Sequence, residues 1–326
     1  CLVEHSDAKI VAFEKNPDSL VAAPDKLWNK LYLARGQKRK LLYSSAKEVS
    51  NIAGKVEWRN MDTANIAAYV PNCDAVIEAI FEDACEKKAL YALIEKYARP
   101  DMPIFTNTST ICISRLAEGM QNPKRLAGLH FFNPVPQMPP IEAILQQYVL
   151  GDHDLGVEKA AADIAKASGK HIFWALDLPG FVVNGIWVPA IRVAVEEIER
   201  GASFEEMDKA FRTGKWVDHP PARKVVEELI KSAKMILEKQ EKQNCGFKIA
   251  KENIDKLLEL GTKMPVGPFK LNALLEKGEA QNIRFELGPA QFIDLVGIDV
   301  ALDCIKSMAR QEPDRGWKEP ELLLKM

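Results

Sequence analysis

Short apolar runs alternate with helical patterns from residue 9 to about residue 175. Residues 83–97 and 154–167 carry apolar side chains at helical spacing, which is typical of helices that lie on a sheet. Strands that alternate with helices indicate a parallel sheet with helices on both faces, so we expect a doubly wound α/β fold. The runs that predict strands are residues 9–13, 75–80, 103–106, 126–131, 141–150 and 171–176.

The pattern changes after Asp177, because residues 181–199 predict a long apolar helix, residues 222–242 predict an amphipathic helix, and no convincing strand follows. We therefore expect an α/β domain over residues 1–176 and an all-helical domain over residues 177–326. Within the second domain, Pro265-Val-Gly-Pro-Phe269 and Leu287-Gly-Pro-Ala290 look like two copies of one turn.

Charge and cysteine usage exclude several classes of partner. The 44 Lys and Arg residues nearly balance the 46 Asp and Glu residues, so we expect no nucleic-acid or membrane partner. No apolar run reaches the roughly 20 residues of a membrane span, and no secretory signal is recognisable, which favours a cytoplasmic or organelle-matrix protein. We take the cytoplasm as the prediction. The six cysteines are scattered, which predicts reduced thiols and no metal site.

A candidate general base follows from the residues around His130. This histidine ends an apolar run, several prolines then forbid a helix, and Glu142 lies in the next apolar run. The chain must turn between them, and such a turn can bring imidazole and carboxylate into contact. The carboxylate would fix the tautomer of a catalytic base. From these residues alone, a structural histidine beside a surface glutamate is an equal alternative.

Three motifs in order resemble the signature series of the L-3-hydroxyacyl-CoA dehydrogenase family, in particular the 3-hydroxybutyryl-CoA dehydrogenases. They are Asn107-Thr-Ser-Thr110, His130-Phe-Phe-Asn-Pro-Val-Pro136 and Pro179-Gly-Phe-Val-Val-Asn184, within a match that runs from residue 9 to about residue 214. The resemblance implies a Rossmann-type domain, a helical domain, and NAD-linked oxidation of an L-3-hydroxyacyl-CoA in β-oxidation or related short-chain metabolism.

The resemblance also implies roles for four residues. His130 is the expected base and Glu142 its orienting partner, while Ser109 and Asn184 contact the reacting substrate. Read without the family, Ser109 is a cap for a helix over residues 113–120. Asn184 would then be an ordinary polar position in a helix.

Cofactor residues are expected at the ends of strands. Glu14 follows the first predicted strand, where an acid can bind the adenine ribose hydroxyls of NAD. Ala75-Val-Ile-Glu-Ala-Ile-Phe-Glu82 resembles the family strand whose Glu and downstream Lys lie beside the nicotinamide ribose, which implies Glu82 and Lys87. We place Asn107 with them. Without the resemblance, Glu82 and Lys87 would be a solvated first helical turn.

Departures from the family pattern are clear. The Gly-x-Gly-x-x-Gly turn expected before Glu14 is missing from this sequence, and so is the family's C-terminal Gly-Phe-Tyr, so we expect a fragment. Gly185 stands where the family has Arg, and Pro139 where it commonly has Lys. Residues 215–285 are an apparent insertion, although Gly267 to Leu271 offers a competing match to the turn that normally follows Gly214.

Alternatives and partners complete the expectations. A non-catalytic, crystallin-like relative is the second hypothesis, favoured by Gly185, Pro139 and the insertion. A different 3-hydroxyacid dehydrogenase of the same architecture is disfavoured by the His-Phe-Phe-Asn-Pro run. The expected partners are an acyl-CoA substrate, a fused or associated enoyl-CoA hydratase, and a second copy of the chain, because residues 181–199 carry much apolar surface.

Overall fold

The computed structural model describes residues 8–19, 55–146, 155–242, 249–262, 264–296, 298–315 and 317. Within these residues the strands are β1 (Ile10–Glu14), β2 (Val56–Asn60), β3 (Val76–Glu78), β4 (Ile104–Thr106), β5 (Leu126–Phe131), β6 (Pro140–Leu145) and β7 (His171–Leu176). The helices are α1 (Thr63–Tyr69), α2 (Ala84–Tyr97), α3 (Ile113–Ala117), α4 (Leu155–Ala167), α5 (Val183–Glu199), α6 (Phe204–Thr213), α7 (Pro220–Lys242), α8 (Lys251–Thr262), α9 (Pro268–Glu276), α10 (Pro289–Val296) and α11 (Ile298–Gln311).

A five-stranded sheet in the order β3-β4-β5-β6-β7 forms the centre of the first part of the chain. Strands β3, β4 and β5 are parallel, but β6 runs antiparallel to β5. Parallel pairs predominate as expected, but the expectation of a parallel sheet is wrong at this one pair. The physical reason is length, because residues 132–139 are too few for the crossover of about a dozen residues that parallel neighbours need.

Helices cover both faces of this sheet. Ile104 and Leu126 point to the face on which α2 and α3 pack, whereas Phe105 and Leu129 point to the face covered by α4. Alternate residues of one strand are thus buried on opposite sides, as in sheets with two helical layers. The predicted α/β fold class is confirmed.

Strands β1 and β2 form a separate parallel pair within the described residues. The sequence pattern did not predict β2, whose Val-Glu-Trp-Arg-Asn segment mixes charges with apolar side chains. Glu14 is the last residue of β1 rather than the residue after it. The predicted strand 141–150 is shorter, because β6 ends at Leu145 and residues 147–150 lie outside the described part.

After β7 the described residues form helices and no strand. Helix α5 is buried on most of its surface, and α7, from within the apparent insertion, packs along it. The expected exposed apolar surface on residues 181–199 is therefore absent, because α7 covers it. Exposed large apolar side chains in the described part are Phe81 and Val300.

Two Gly-Pro turns of the helical part are built in the same way. Asp255 of α8 accepts hydrogen bonds from the backbone N–H groups of Phe269 and Lys270, which start α9. Asp208 of α6 does the same for Ala290 and Gln291, which start α10. Each buried aspartate thus caps a helix that opens with Gly-Pro, so the similarity of the two sequences corresponds to one repeated structural device.

Candidate active site

His130 and Glu142 face each other across β5 and β6, where they are register partners. The His130 Nδ1 atom lies 2.7 Å from the Glu142 Oε2 atom, and both side chains are buried. Sequence reasoning left a surface glutamate open as an alternative, but the structure buries Glu142 completely. Because a carboxylate accepts hydrogen bonds, the tautomer that fits this contact carries its proton on Nδ1 and leaves Nε2 as the basic nitrogen.

The second oxygen of Glu142 binds the start of helix α5. Its Oε1 accepts hydrogen bonds from the backbone N–H groups of Val182 and Val183, each at 3.0 Å. Val182 is the N-cap residue of α5 and supplies no side-chain cap. The amides and the helix dipole stabilise a negative charge at this point, beside His130.

Two aromatic rings hold the imidazole from the sides. The ring centroids of Phe132 and Phe181 lie 4.8 Å and 5.9 Å from that of His130. Phe181 adopts a φ of 53°, a left-handed conformation that is uncommon for a bulky residue. Sequence reasoning missed both positioning roles, although Phe132 and Phe181 lie inside the motifs it singled out.

Ser109 and Asn184 are brought together by a direct hydrogen bond. The Asn184 Nδ2 atom donates to the Ser109 carbonyl oxygen at 2.9 Å. Asn184 lies in the first turn of α5, directly after the two residues that Glu142 binds. One run of α5 residues therefore connects the His130–Glu142 pair to the Ser109 loop.

The start of helix α3 shows that Ser109 is not its cap. Asp177 accepts hydrogen bonds from the Ile113 and Ser114 N–H groups at 2.5 Å and 2.8 Å. Burial raises the pKa of Asp177 above its ordinary value, and the bonds from Ser114 and Ile113 oppose this shift. Helix α3 ends at Ala117, which is shorter than expected. Sequence reasoning missed Asp177, whose only signal was its place at the end of a predicted strand.

Glu82 holds the loop that carries Ser109 from the sheet side. Its Oε1 accepts hydrogen bonds from the Thr108 hydroxyl at 2.6 Å, the Ser109 N–H at 2.8 Å and the Thr110 N–H at 3.1 Å. A single carboxylate therefore fixes three successive residues. This is an ordered arrangement rather than the solvated helical turn that was the alternative for Glu82.

Lys87 is completely buried in a polar cluster with Glu78. Its Nζ lies 2.7 Å from Glu78 Oε1 and 3.6 Å from Glu82 Oε2. The other Glu78 oxygen accepts from the Tyr91 hydroxyl at 2.6 Å and from the Thr106 hydroxyl at 2.7 Å. Burial, followed by the Glu78 charge, raises the pKa of Tyr91. Glu78 was missed, although an acid inside a predicted strand is a usable signal.

Asn107 connects the ends of two neighbouring strands. Its Oδ1 accepts from the Phe131 N–H at 2.9 Å, and its own N–H donates to the Glu78 carbonyl at 2.8 Å. Glu14 lies apart, on the β1–β2 pair, where its carboxylate accepts from the Asn16 N–H at 2.9 Å. The described contacts thus link all the expected site residues except Glu14.

Metal-binding clusters and membrane-spanning helices are both absent from the described part of the chain. No group of three or more His, Cys, Asp or Glu side chains there could hold a metal ion. None of its helices combines the length and the apolar character of a membrane-spanning segment.

Comparison with known proteins places this geometry in a family. Residues 2–170 match the model of the 3-hydroxyacyl-CoA dehydrogenase NAD binding domain, which is more than half of the chain. The chain belongs to this family. The family resemblance drawn from the three motifs is confirmed, and NAD is the cofactor of this domain.

Curated relatives agree. The chain is 32% identical over 206 residues to a probable 3-hydroxyacyl-CoA dehydrogenase of Caenorhabditis elegans, covering 63% of this chain and 64% of that protein. It is 36% identical over 153 residues to human mitochondrial hydroxyacyl-coenzyme A dehydrogenase, covering 47% of this chain and 48% of that protein. It is 31% identical over 194 residues to 3-hydroxybutyryl-CoA dehydrogenase of Clostridioides difficile, covering 56% of this chain and 67% of that protein. The chain thus spans about half to two thirds of the length of these relatives.

Solved structures show the same fold. A structure of (S)-3-hydroxybutyryl-CoA dehydrogenase from Ralstonia eutropha aligns with a TM-score of 0.62 at 21% identity, covering 100% of this chain and 86% of that chain. A structure of 3-hydroxybutyryl-CoA dehydrogenase from Escherichia coli aligns with a TM-score of 0.62 at 16% identity, covering 99% of this chain and 94% of that chain. At these identities the likeness supports the architecture alone.

Proposed function

We propose that this protein oxidises an L-3-hydroxyacyl-CoA to the 3-oxoacyl-CoA with NAD. The observation that carries the proposal is the buried His130–Glu142 pair, whose Glu142 also binds the start of the helix that bears Asn184. This arrangement supplies a base of fixed tautomer. Through the bond from Asn184 to Ser109, it also supplies a hydroxyl and an amide that can hold substrate oxygens.

The roles follow from the chemistry of these groups. The substrate hydroxyl gives its proton to His130 Nε2, and Glu142 stabilises the imidazolium that forms. NAD, when bound, would accept the hydride from the carbon that bears this hydroxyl, which leaves a carbonyl at that carbon. Ser109 and Asn184 orient the reacting oxygen toward His130.

The residues present fit a dinucleotide. Glu14 ends a parallel strand with a partly exposed carboxylate, which can accept hydrogen bonds from a ribose diol. We assign Glu82, Lys87 and Asn107 to the nicotinamide side, where Glu82 orders the Ser109 loop and Lys87 holds Glu82. Because Lys87 is completely buried, we propose that it acts through Glu82 rather than by direct contact.

We propose that residues 1–176 form the cofactor domain and residues 177–326 the substrate domain, with the active site between them. The hydrogen bonds from Val182 and Val183 to Glu142 and from Asn184 to Ser109 cross this boundary and support it. Helices α7, α8 and α9, from the apparent insertion at residues 215–285, are assigned to the substrate domain.

A histidine substitution tests the function. In the full-length protein, His130→Gln should lower turnover of acetoacetyl-CoA and NADH by about three orders of magnitude or more, because it removes the acid/base group. His171→Gln is the matched control, since His171 is exposed at the start of β7. Wild-type turnover in the His130 variant would reject the assignment.

The non-catalytic, crystallin-like alternative is not favoured. The matched family and the curated relatives described above are dehydrogenases. All four proposed catalytic residues are present, and their hydrogen bonds form a connected set.

Assembly is part of the proposal. We propose a homodimer through the helical domain. The proposal rests on the family resemblance alone, because α7 covers the apolar surface of α5 that was expected to form the interface. Light scattering of the full-length protein tests it. A monomer at micromolar concentration would reject the dimer and agree with the coverage of α5. A fused or associated enoyl-CoA hydratase is likewise proposed from the resemblance and is tested by copurification.

We propose a cytoplasmic location. The human relative is named a mitochondrial protein, so the organelle is the competing compartment. Imaging of the tagged full-length protein distinguishes the two.

A further inference from the structure

Helix α11 reaches back from the end of the helical part to the Ser109 loop. The Gln311 Nε2 atom donates to the Thr110 carbonyl oxygen at 2.9 Å, and the Gln311 Oε1 atom accepts from the Cys112 N–H at 3.0 Å. One side-chain amide therefore satisfies both a carbonyl and an N–H of the same loop. A neighbouring β-strand would bind the backbone in a similar way.

Ser307, one turn earlier in α11, makes a second contact. The Thr110 hydroxyl donates to the Ser307 Oγ at 2.8 Å, and Thr110 is completely buried. The Gln311 Nε2 atom lies 3.2 Å from both the Oγ and the carbonyl oxygen of Ser307. The Ser307 contact thus orients the glutamine amide as well as the loop.

The loop held in this way carries Ser109. Its backbone is bound from the sheet by Glu82 and from α5 by Asn184, both described above. Helix α11 fixes Thr110 and Cys112, which follow Ser109 in the loop. Residues 107–112 lie between β4 and α3, and most of the bonds that hold their backbone come from side chains, although the Thr110 carbonyl also accepts from the Gly180 N–H at 3.1 Å.

We propose that Gln311 and Ser307 are positioning residues for Ser109. They hold the backbone that sets where the Ser109 hydroxyl meets the substrate oxygen, and they make no contact with the His130–Glu142 pair among the described bonds. The inference rests on the proposed function. The inference assigns orientation of the substrate oxygen to residues held by α11, and proton transfer to the His130–Glu142 pair on β5 and β6.

The test uses Gln311→Met in the full-length protein, because methionine has a similar length and makes neither hydrogen bond. We expect kcat with acetoacetyl-CoA and NADH to fall about 10- to 100-fold, as for a misplaced contact group. The NADH dissociation constant and the pH profile of kcat/KM should stay unchanged, since Glu142 still orients His130. Arg310→Met, at an exposed position next to it, is the control and should match the wild type.

A second pair of variants tests the hydroxyl contact. Ser307→Ala should lower kcat in the same direction, whereas Ser307→Thr keeps the hydroxyl and should restore most of the turnover. Equal loss in both variants would show that packing, and not the hydrogen bond to Thr110, matters at this position, and it would overturn the role of Ser307.

A double-mutant cycle decides whether Gln311 acts through Ser109. In a Ser109→Ala background, Gln311→Met should cause little further loss of kcat, because the group that it positions is gone. Additive losses would overturn the inference and leave Gln311 a structural residue.

Amide hydrogen exchange of residues 107–114 gives a readout that does not need turnover. Exchange should be faster in Gln311→Met than in the wild type and unchanged in Arg310→Met. Unchanged exchange in Gln311→Met would overturn the inference. Inactive wild-type protein would instead reject the proposed function, and the exchange measurement would then still decide whether α11 fixes the loop.

Discussion

Gly185 of α5 lies against Ile236 of α7, such that a Cβ added at Gly185 would be 3.2 Å from the Ile236 Cδ1 atom. The family pattern has Arg at this position, and α7 belongs to the apparent insertion. Because α7 packs along α5, position 185 has little room for the long side chain that the family resemblance leads us to expect there.

Gly185→Arg is expected to destabilise the protein. The new side chain must displace Ile236 or push α7 away, and overpacking of this kind costs about 1–3 kcal/mol. Chemical unfolding followed by circular dichroism should show a lower free energy of unfolding. Adding Ile236→Ala should recover part of the loss, because it vacates the space that the arginine needs.

Gly261→Ala in α8 is the control for this prediction. A Cβ at Gly261 would meet the Phe132 ring at an ordinary contact distance of 3.4 Å. Alanine also favours a helix over glycine by about 1 kcal/mol. We expect equal or greater stability, and a loss as large as that of Gly185→Arg would show that the steric argument is wrong.

Glu142→Gln tests whether catalysis by His130 needs the carboxylate of Glu142 or only a side chain of its size. The glutamine carbonyl can still accept from the α5 amides, but its NH₂ then faces His130 Nδ1 and forces the proton onto Nε2. Because Nε2 is then no longer basic, we expect kcat to fall by about 10²- to 10⁴-fold. The measurement is turnover of acetoacetyl-CoA, together with the ¹⁵N shifts of the His130 ring.

The matched control is Glu118→Gln, which removes an exposed carboxylate paired with Lys88. It should leave turnover unchanged. If Glu142→Gln were equally harmless, the orienting role of Glu142 would be untenable.

Cofactor choice should depend on Glu14. Its carboxylate repels a 2′-phosphate and accepts hydrogen bonds from a free ribose diol, so the full-length protein should prefer NADH to NADPH. Glu14→Gln should narrow that preference, as measured by the two dissociation constants. Asp18→Asn removes a nearby exposed charge and should leave the preference intact. A wild-type preference for NADPH would contradict the role of Glu14.

The two Gly-Pro turns should respond alike to a methyl group. A Cβ at Gly267 would lie 2.2 Å from the Asp255 Cα, and one at Gly288 would lie 2.0 Å from the Asp208 Oδ1. We expect Gly267→Ala and Gly288→Ala each to lower the free energy of unfolding by about 1–3 kcal/mol. Denaturant titration of both variants measures this. A loss at only one turn would refute the equivalence of the two copies.

Thiol reactivity should follow burial. Burial raises the pKa of Cys112 and of Cys304 to about 12, so at pH 8 roughly one thiol in 10⁴ is ionised. We expect both to resist a maleimide reagent until the protein unfolds, whereas exposed Cys85 reacts at once. Mass spectrometry of timed samples gives the order in which the cysteines are labelled. Early labelling of Cys112 would contradict its burial. Cys1 and Cys245 lie outside the described residues.

The sequence predicted the fold class and most elements because their signals are local. Apolar periodicity marked β5, β7, α2 and α5 to within a few residues. It could not show that β6 reverses direction, because direction depends on the length and path of the connection. It also missed β2, where the charged residues Glu57 and Arg59 interrupt the apolar run.

Motifs located the site residues, but not the groups that hold them. His130, Glu142, Ser109 and Asn184 lie within or next to recognisable runs. Asp177 and Gln311 act through backbone groups that lie 63 or more residues away in the chain. No local pattern carries such contacts, since the folded chain alone brings the partners together. Asp208 and Asp255 cap helices that start 82 and 14 residues away, and their shared role appears only in the folded chain.

Glu142 gives one carboxylate two tasks, with one oxygen on His130 and the other on the amides that begin α5. Docking of α5 and orientation of the base are therefore coupled through one carboxylate. If α5 were not docked, Glu142 would lose its hydrogen bonds from Val182 and Val183. The carboxylate that orients the His130 ring would then be less firmly held. Correct orientation of the base therefore depends on the contact between β6 and the start of α5.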